Sequence, residues 1–171
     1  MWILIGIILF IILISIRQIN QYEKGVKFML GKYIGNKEPG WRLVFPVIQS
    51  MTKVDIRVKA VDVPDQDAIT KDNVTVNVNA VLYYKVVVAD KAILAVEHFY
   101  YAVSQLAQTT MRDVVGEVTL DDLLSKRDQI SDRIQTIVDK ATDPWGIKVV
   151  SVDLKHIELP KDMQRTIAKQ A

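Results

Sequence analysis

The chain has 171 residues, half of them hydrophobic, with 22 basic and 20 acidic side chains and no cysteine. A formal net charge of +2, without a Lys/Arg run or a basic stripe, argues against nucleic acid as the main partner, because phosphate binding needs a concentrated basic face. The missing cysteine excludes disulfides, thiolate nucleophiles and cysteine-based zinc sites.

The first element is an uncharged, proline-free run. It consists of Trp2, Ile3, Leu4, Ile5, Ile7, Ile8, Leu9, Phe10, Ile11, Ile12, Leu13, Ile14 and Ile16, with Gly6 and Ser15 between them, and Arg17 ends it. Fifteen helical residues reach roughly 22 Å at about 1.5 Å per residue, short of a hydrocarbon core about 30 Å thick. Trp2 suits one interface, Arg17 and Gln18 can snorkel at the other, and a helix extended through Ile19 and Tyr22 makes up much of the deficit. A membrane anchor helix is therefore predicted over residues 1–18. A cleaved signal peptide predicts a basic leader and a small-residue cleavage site, neither of which is present. A buried core helix would need apolar surroundings on every side. Arg17, Lys24, Lys27 and Lys32 all follow the run, so the positive-inside rule predicts a single-pass protein of the cell membrane with its bulk in the cytoplasm.

A β-rich region is predicted over 19–88. Gly25–Gly31 and Lys32–Ile34 are separated by glycine, a hairpin signal. A turn over 35–40 precedes an apolar run from Trp41 to Phe45, which stops at Pro46. From Lys53 the alternation places Val54, Ile56, Val58 and Ala60 on one face of a strand, with a bulge at Ala60–Val61. Turn residues at Pro64 and Asp65 lead to a second long strand near Asn73, with Val74, Val76, Val78, Ala80 and Leu82 inward. Asn73, Thr75, Asn77 and Asn79 form the opposite face. Asparagine is a poor strand former, so this row is a candidate contact surface, although a solvated face gives the same pattern.

An α/β region is predicted over 89–159. Val103, Leu106, Ala107, Thr110 and Val114 recur at helical spacing, and Thr119 starts a short helical turn. Ser125 and Asp128 resemble a capping box for a helix burying Ile130, Ile134, Ile137, Val138 and Ala141. Residues 143–146 stop it. A strand follows with Val150, Val152, Leu154 and His156 on its inner face. Pro160 fits the first turn of a last helix over 160–171, which reads as the beginning of something longer. The order of elements predicts an α+β fold of two small subdomains behind the anchor helix.

The inventory for catalysis is thin. His98 and His156 stand alone, no HExxH or G-x-S-x-G sequence occurs, and Trp41 occupies the position a phosphate-loop lysine would need after Gly35 and Gly40. Asp121 and Asp122 lie in a first helical turn, where the macrodipole favours them. No enzyme activity, cofactor or metal is expected.

The segments also resemble, in order and spacing, the stomatin-like (slipin) branch of the band 7, or SPFH, family, which includes stomatin, prohibitin and flotillin. The likeness rests on Gly25–Lys32, Pro39–Trp41, Phe45–Ile48, Ile69–Val76, Ala80–Tyr84, Gln105–Arg112, Gly146–Val149 and Ile157–Pro160. The resemblance implies a membrane-bound homo-oligomer whose domains pack side by side on the lipid bilayer in a ring or cage. Such a scaffold organises lipid microdomains and regulates or encloses membrane proteins. An adapter for a membrane protease, NfeD-type or AAA-type, or for a channel is the alternative. It would use Asn73, Thr75, Asn77 and Asn79. Pro160, Met163, Gln164 and Ile167 look like the entry to a coiled coil. The proline that bends the apolar segment of many animal stomatins is absent from residues 1–16.

Overall fold

The computed structural model describes residues 14–158, together with Gly6. Ile14 and Ser15 are helical, and the backbone becomes a strand at Ile16. Strand β1 (Ile16–Ile19) pairs antiparallel with β4 (Gly40–Leu43) in a two-stranded ribbon. The helix predicted to continue through Gln18, Ile19 and Tyr22 therefore ends by Ser15. Arg17 and Gln18 have strand partners in Arg42 and Trp41, which a helix could not provide.

A second sheet has the order β3 (Lys32–Lys37), β2 (Glu23–Met29), β5 (Gln49–Asp55). The predicted β2–β3 hairpin turns through Leu30 and Gly31, whose φ values of 50° and 82° satisfy the tight turn that strand twist prefers. Gly25 leaves room for β1 to cross this sheet, since a Cβ there would stand 2.8 Å from the side chains of both Ile19 and Met51.

The alternation from Lys53 to Ala60 predicted one strand; the chain instead breaks at Ile56–Val58. Asp55 accepts bonds from the Arg57 backbone N–H at 2.9 Å and from its guanidinium at 2.7–3.2 Å, and the guanidinium lies 4.2 Å from the centre of the Tyr22 ring. These bonds, with Lys59 nearby, hold the Asp55 carboxyl at about 2, below its ordinary 3.8. A carboxyl lowered by folding stabilises the protein above its unfolded pKa and ceases to do so as pH falls through the folded one. Asp55→Asn is thus expected to reduce the loss of Tm between about pH 4 and about pH 2, compared with the unsubstituted chain. An unchanged acid limb in thermal melts would contradict it.

The third sheet has the order β6–β7–β8, from Lys59–Ile69, Thr75–Val86 and Ile147–Glu158. Central β7 buries Val76, Val78, Ala80, Leu82, Tyr84 and Val86. Strands β6 and β7 of the region predicted as 19–88 pair in one sheet with β8 of the region predicted as 89–159, and the chain passes from the second sheet to the third at Ile56–Val58. The bulge in β6 lies between Val63 and Gln66, where Pro64 is tolerated on an edge strand, and not at Ala60–Val61.

Helices cover this sheet. Helix α1 (Ala89–Ala95) sits at the junction, where the Asn36 amide donates to Asp90 at 2.9 Å. Helix α2 (Phe99–Glu117) buries Val103, Ala107, Thr110, Met111 and Val114 and lies along β6, and α4 (Arg127–Thr142) lies along β8 and against α2. Between them, α3 (Leu120–Ser125) is capped by Thr119, whose hydroxyl accepts from Asp122 N–H at 3.2 Å. The Asp72 carboxylate accepts the Leu120 N–H at 3.2 and 3.3 Å, tying the β6–β7 turn to this helix. The predicted capping box at Ser125 is absent. Lys126 occupies the cap position, and the Ser125 hydroxyl donates to Asp121 O at 2.7 Å.

Four inward assignments are corrected. Ile130, Ile134 and Val138 are buried as predicted, whereas Ile137 is 41 % exposed and Ala141 faces outward. On β8, register shifts opposite Tyr83/Tyr84 and Val78/Ala80 reset the phase. Ile147 and Val149 are buried, Val150 is 46 % exposed, and His156 is exposed. A single apolar core nevertheless runs from Val26 and Val54 through the third sheet to the helices. The described residues form a mixed α+β fold, as predicted for residues 19–159.

Candidate functional site

Helix positions and strand alternation account for most buried apolar side chains. One group of apolar residues escapes that logic. At the hairpin tip Leu30 is 82 % exposed, in a left-handed conformation uncommon for a residue with a side chain. Its N–H donates to Ile48 O at 2.9 Å, which joins the tip to the turn after β4. Val47 in that turn is 93 % exposed, with Phe45 and Ile48 about half exposed beside it. Phe45 O closes the turn by accepting from Gln49 N–H at 2.8 Å. On β4, Trp41 is 75 % exposed, with Leu43 on the same face two residues on. Val44 N–H donates to Ser15 O at 2.8 Å, so this rim is fastened to the C-terminal end of the apolar N-terminal run.

Isolated exposed apolar residues are ordinary; here several form a group on two chain segments, the hairpin tip and residues 41–48, tied together by the Leu30–Ile48 backbone bond. Basic side chains border it. Arg17 and Arg42 stand on the ribbon, and the Lys27 ammonium donates to Leu43 O at 3.3 Å.

The predicted polar face is divided by the structure. Asn73 lies in the β6–β7 turn with φ 62°, outside β7, and Thr75 is exposed at the strand's first position. The Asn77 amide donates to Asp67 at 2.8 Å. Asn79 donates to Asp65 at 2.7 Å and accepts the His156 N–H at 3.0 Å. Asn77 ties β7 to β6 in regular register and Asn79 ties it to both neighbours at their bulges, a role that local alternation cannot reveal. His98 occupies the position before α2 without capping it, and its side chain is exposed. Among the described residues, no group of three His, Asp or Glu side chains is placed to hold a metal.

A groove of about 540 Å³ lies between α4 and β8. Its Arg127 donates to Leu154 O at 2.8 Å and Lys155 O at 3.0 Å, and Gln135 donates to Val149 O at 3.2 Å. Its side chains thus satisfy the outer edge of β8, where strand pairing is missing.

The expected anchor from Trp2 to Leu13, apart from Gly6, and the expected coiled-coil entry at Pro160, Met163, Gln164 and Ile167 lie outside the described residues. Among the described residues no helix is long and apolar enough to cross a membrane. Sequence reading treats Trp41–Phe45 only as an apolar strand. A rim was still legible in the lack of any polar alternation at Phe45, Val47 and Ile48.

The fold defines an α+β protein with a small β module leading into a helix-covered sheet. The family model described as SPFH domain / Band 7 family matches residues 17–171. A stomatin homolog of Pyrococcus abyssi is 47 % identical over 168 residues, covering 96 % of this chain and 63 % of the relative. A protein of Archaeoglobus fulgidus is 45 % identical over 173 residues, covering 99 % of this chain and 70 % of the relative. Stomatin-2 of Caenorhabditis elegans is 43 % identical over 155 residues, covering 90 % of this chain and 41 % of the relative. The chain belongs to the SPFH domain / Band 7 family, of which it is a stomatin-like member. It spans 63 % of the length of the Pyrococcus abyssi relative.

Proposed function

We propose that this protein is a membrane-anchored oligomeric scaffold, without enzyme activity, that lies against the bilayer and organises lipids and membrane proteins around it. The observation that carries this reading is the rim of Leu30, Trp41, Leu43, Phe45 and Val47, fastened through Ser15 to the apolar N-terminal run. Moving a side chain of this size from water into an apolar phase is favourable by about 1.5–3 kcal/mol. Several together press the first β module onto the membrane beside the anchor. The cationic residues Arg17, Lys24, Lys27 and Lys32 favour the cytoplasmic face.

Trp41 provides the test. In a Trp2→Phe, Trp145→Phe background, the intact protein reconstituted with brominated lipid is expected to show strong quenching of Trp41 fluorescence. Adding Leu30→Asp and Val47→Asp should relieve much of it. A Trp41 indifferent to brominated lipid and open to aqueous quenchers would end the rim reading. Assembly is a separate question, addressed by blue-native gels of detergent-extracted protein: large rings or cages are expected, and a strict monomer of the intact protein would sink the scaffold.

An adapter for an NfeD-type or AAA-type membrane protease, or for a channel, is the second reading. The outward positions of Asn73 and Thr75 favour it, because Asn77 and Asn79 are already engaged within the sheet.

A further inference from the structure

The ribbon joining the N-terminal run to the β modules carries an unusual pair. In its register Arg17 stands directly opposite Arg42, so the two side chains share a face about 5 Å apart at their Cβ atoms. Like charges placed so destabilise a strand pair, and a two-stranded ribbon has little stability to spare. No acidic side chain among the described residues compensates. Among the described residues neither arginine belongs to an ion pair; Arg42 Nε donates only to the Glu38 backbone oxygen at 3.3 Å, and the Arg17 guanidinium has no hydrogen-bond acceptor.

Beside Arg17 the ribbon meets β5 in a hollow of about 290 Å³, lined by Arg17, Gln49, Ser50 and Lys53 over Val44, Pro46 and Met51. Its lining includes two cations, an amide and a hydroxyl, and no carboxylate. Lys53 is held only loosely elsewhere, with its ammonium 3.8 Å from Glu23.

We infer that Arg17 and Arg42, with Lys53, form a binding site for a phosphate group, and that its source is the headgroup of an anionic membrane lipid. A guanidinium grips phosphate through two parallel N–H bonds, and an anion between two facing arginines converts their repulsion into attraction. The choice of a lipid rests on the proposed membrane apposition: Arg17 ends the apolar N-terminal run, which places it at headgroup depth when that run is inserted, while Trp41 and Leu43 point from the opposite face of the same ribbon.

The test is thermal unfolding of the intact protein in neutral detergent. Short-chain phosphatidylglycerol, phosphatidylcholine of equal chain length and inorganic phosphate are titrated separately. Anything that binds the native state alone raises Tm. Phosphatidylglycerol is expected to raise it by several degrees more than phosphatidylcholine. Arg17→Gln and Arg42→Gln should each weaken that response by about tenfold or more. Without lipid, both variants should melt cooperatively at or above the unsubstituted chain, because the repulsion is relieved. Equal shifts with the two lipids, or an undiminished response in both variants, would overturn the site. An equal response to inorganic phosphate would overturn the lipid as source while retaining the anion site. Brominated-lipid quenching of Trp41 separates the outcomes: quenching kept while lipid selectivity fails overturns the anion site alone.

Discussion

Replacing Gly146 by alanine is expected to lower the stability of the protein by about 3 kcal/mol or more, an effect larger than a single methyl group would ordinarily have. Gly146 adopts φ +70°, where a side chain is strained, and a Cβ would lie 2.5 Å from Val88 O and 2.8 Å from Val88 Cβ. Val88 cannot retreat freely. Its N–H and that of Val87 both donate to Gly146 O, at 3.0 and 2.9 Å, while Gly146 N–H closes the short 3-10 turn at Asp143–Trp145 by donating to Asp143 O at 2.9 Å. One residue thereby fastens the end of α4, the start of β8 and the entry to α1. Gly116→Ala is the control, since its Cβ would meet only Ile69 O at 3.6 Å near the end of α2. There alanine should be neutral or stabilise by about 0.5–1 kcal/mol. Urea unfolding of both variants distinguishes the two; similar destabilisation would refute the local account.

Leu82→Ala should cost about 2–5 kcal/mol. Leu82 is fully buried on the central strand, with β6 on one side, β8 on the other and a helix layer over its face. Such a site cannot collapse around the missing methyl groups, so a cavity remains. Ile137→Ala on α4 removes a comparable volume, yet should cost less than about 1 kcal/mol because that side chain is partly in water. A helical wheel drawn from sequence treats Ile137 as core, and the pair of variants measures that error directly. If Ile137→Ala proved as damaging as Leu82→Ala, the outward placement of Ile137 would be wrong.

Much of the candidate site was legible in fragments. The Leu30–Gly31 turn, the apolar run at Trp41 and the break at Pro46 are all local signals. Their union into one rim depends on the Leu30–Ile48 and Val44–Ser15 backbone bonds, which connect residues 18 and 29 positions apart in the chain. The polar row on β7 shows the reverse case. Its composition singled out Asn77 and Asn79, but their partners Asp65, Asp67 and His156 lie on other strands, so alternation alone could not separate a docking surface from internal ties.

By itself the sequence determined the hairpin at residues 25–34, the inner face of β7, the α2 and α4 helices, the Thr119 cap and the family. Each follows from a short-range rule: period two in strands, period 3.6 in helices, turn and capping chemistry, or a motif series. Tertiary structure decided the rest. The register of β1 against β4 set Arg17 opposite Arg42, bulges opposite Asn79 and Tyr83 turned His156 and Val150 outward, and the neighbours of α4 left Ile137 in water. The physical reason is common to all three. A one-residue slip in pairing exchanges the two faces of a strand, and what fixes that slip is a partner far away in sequence.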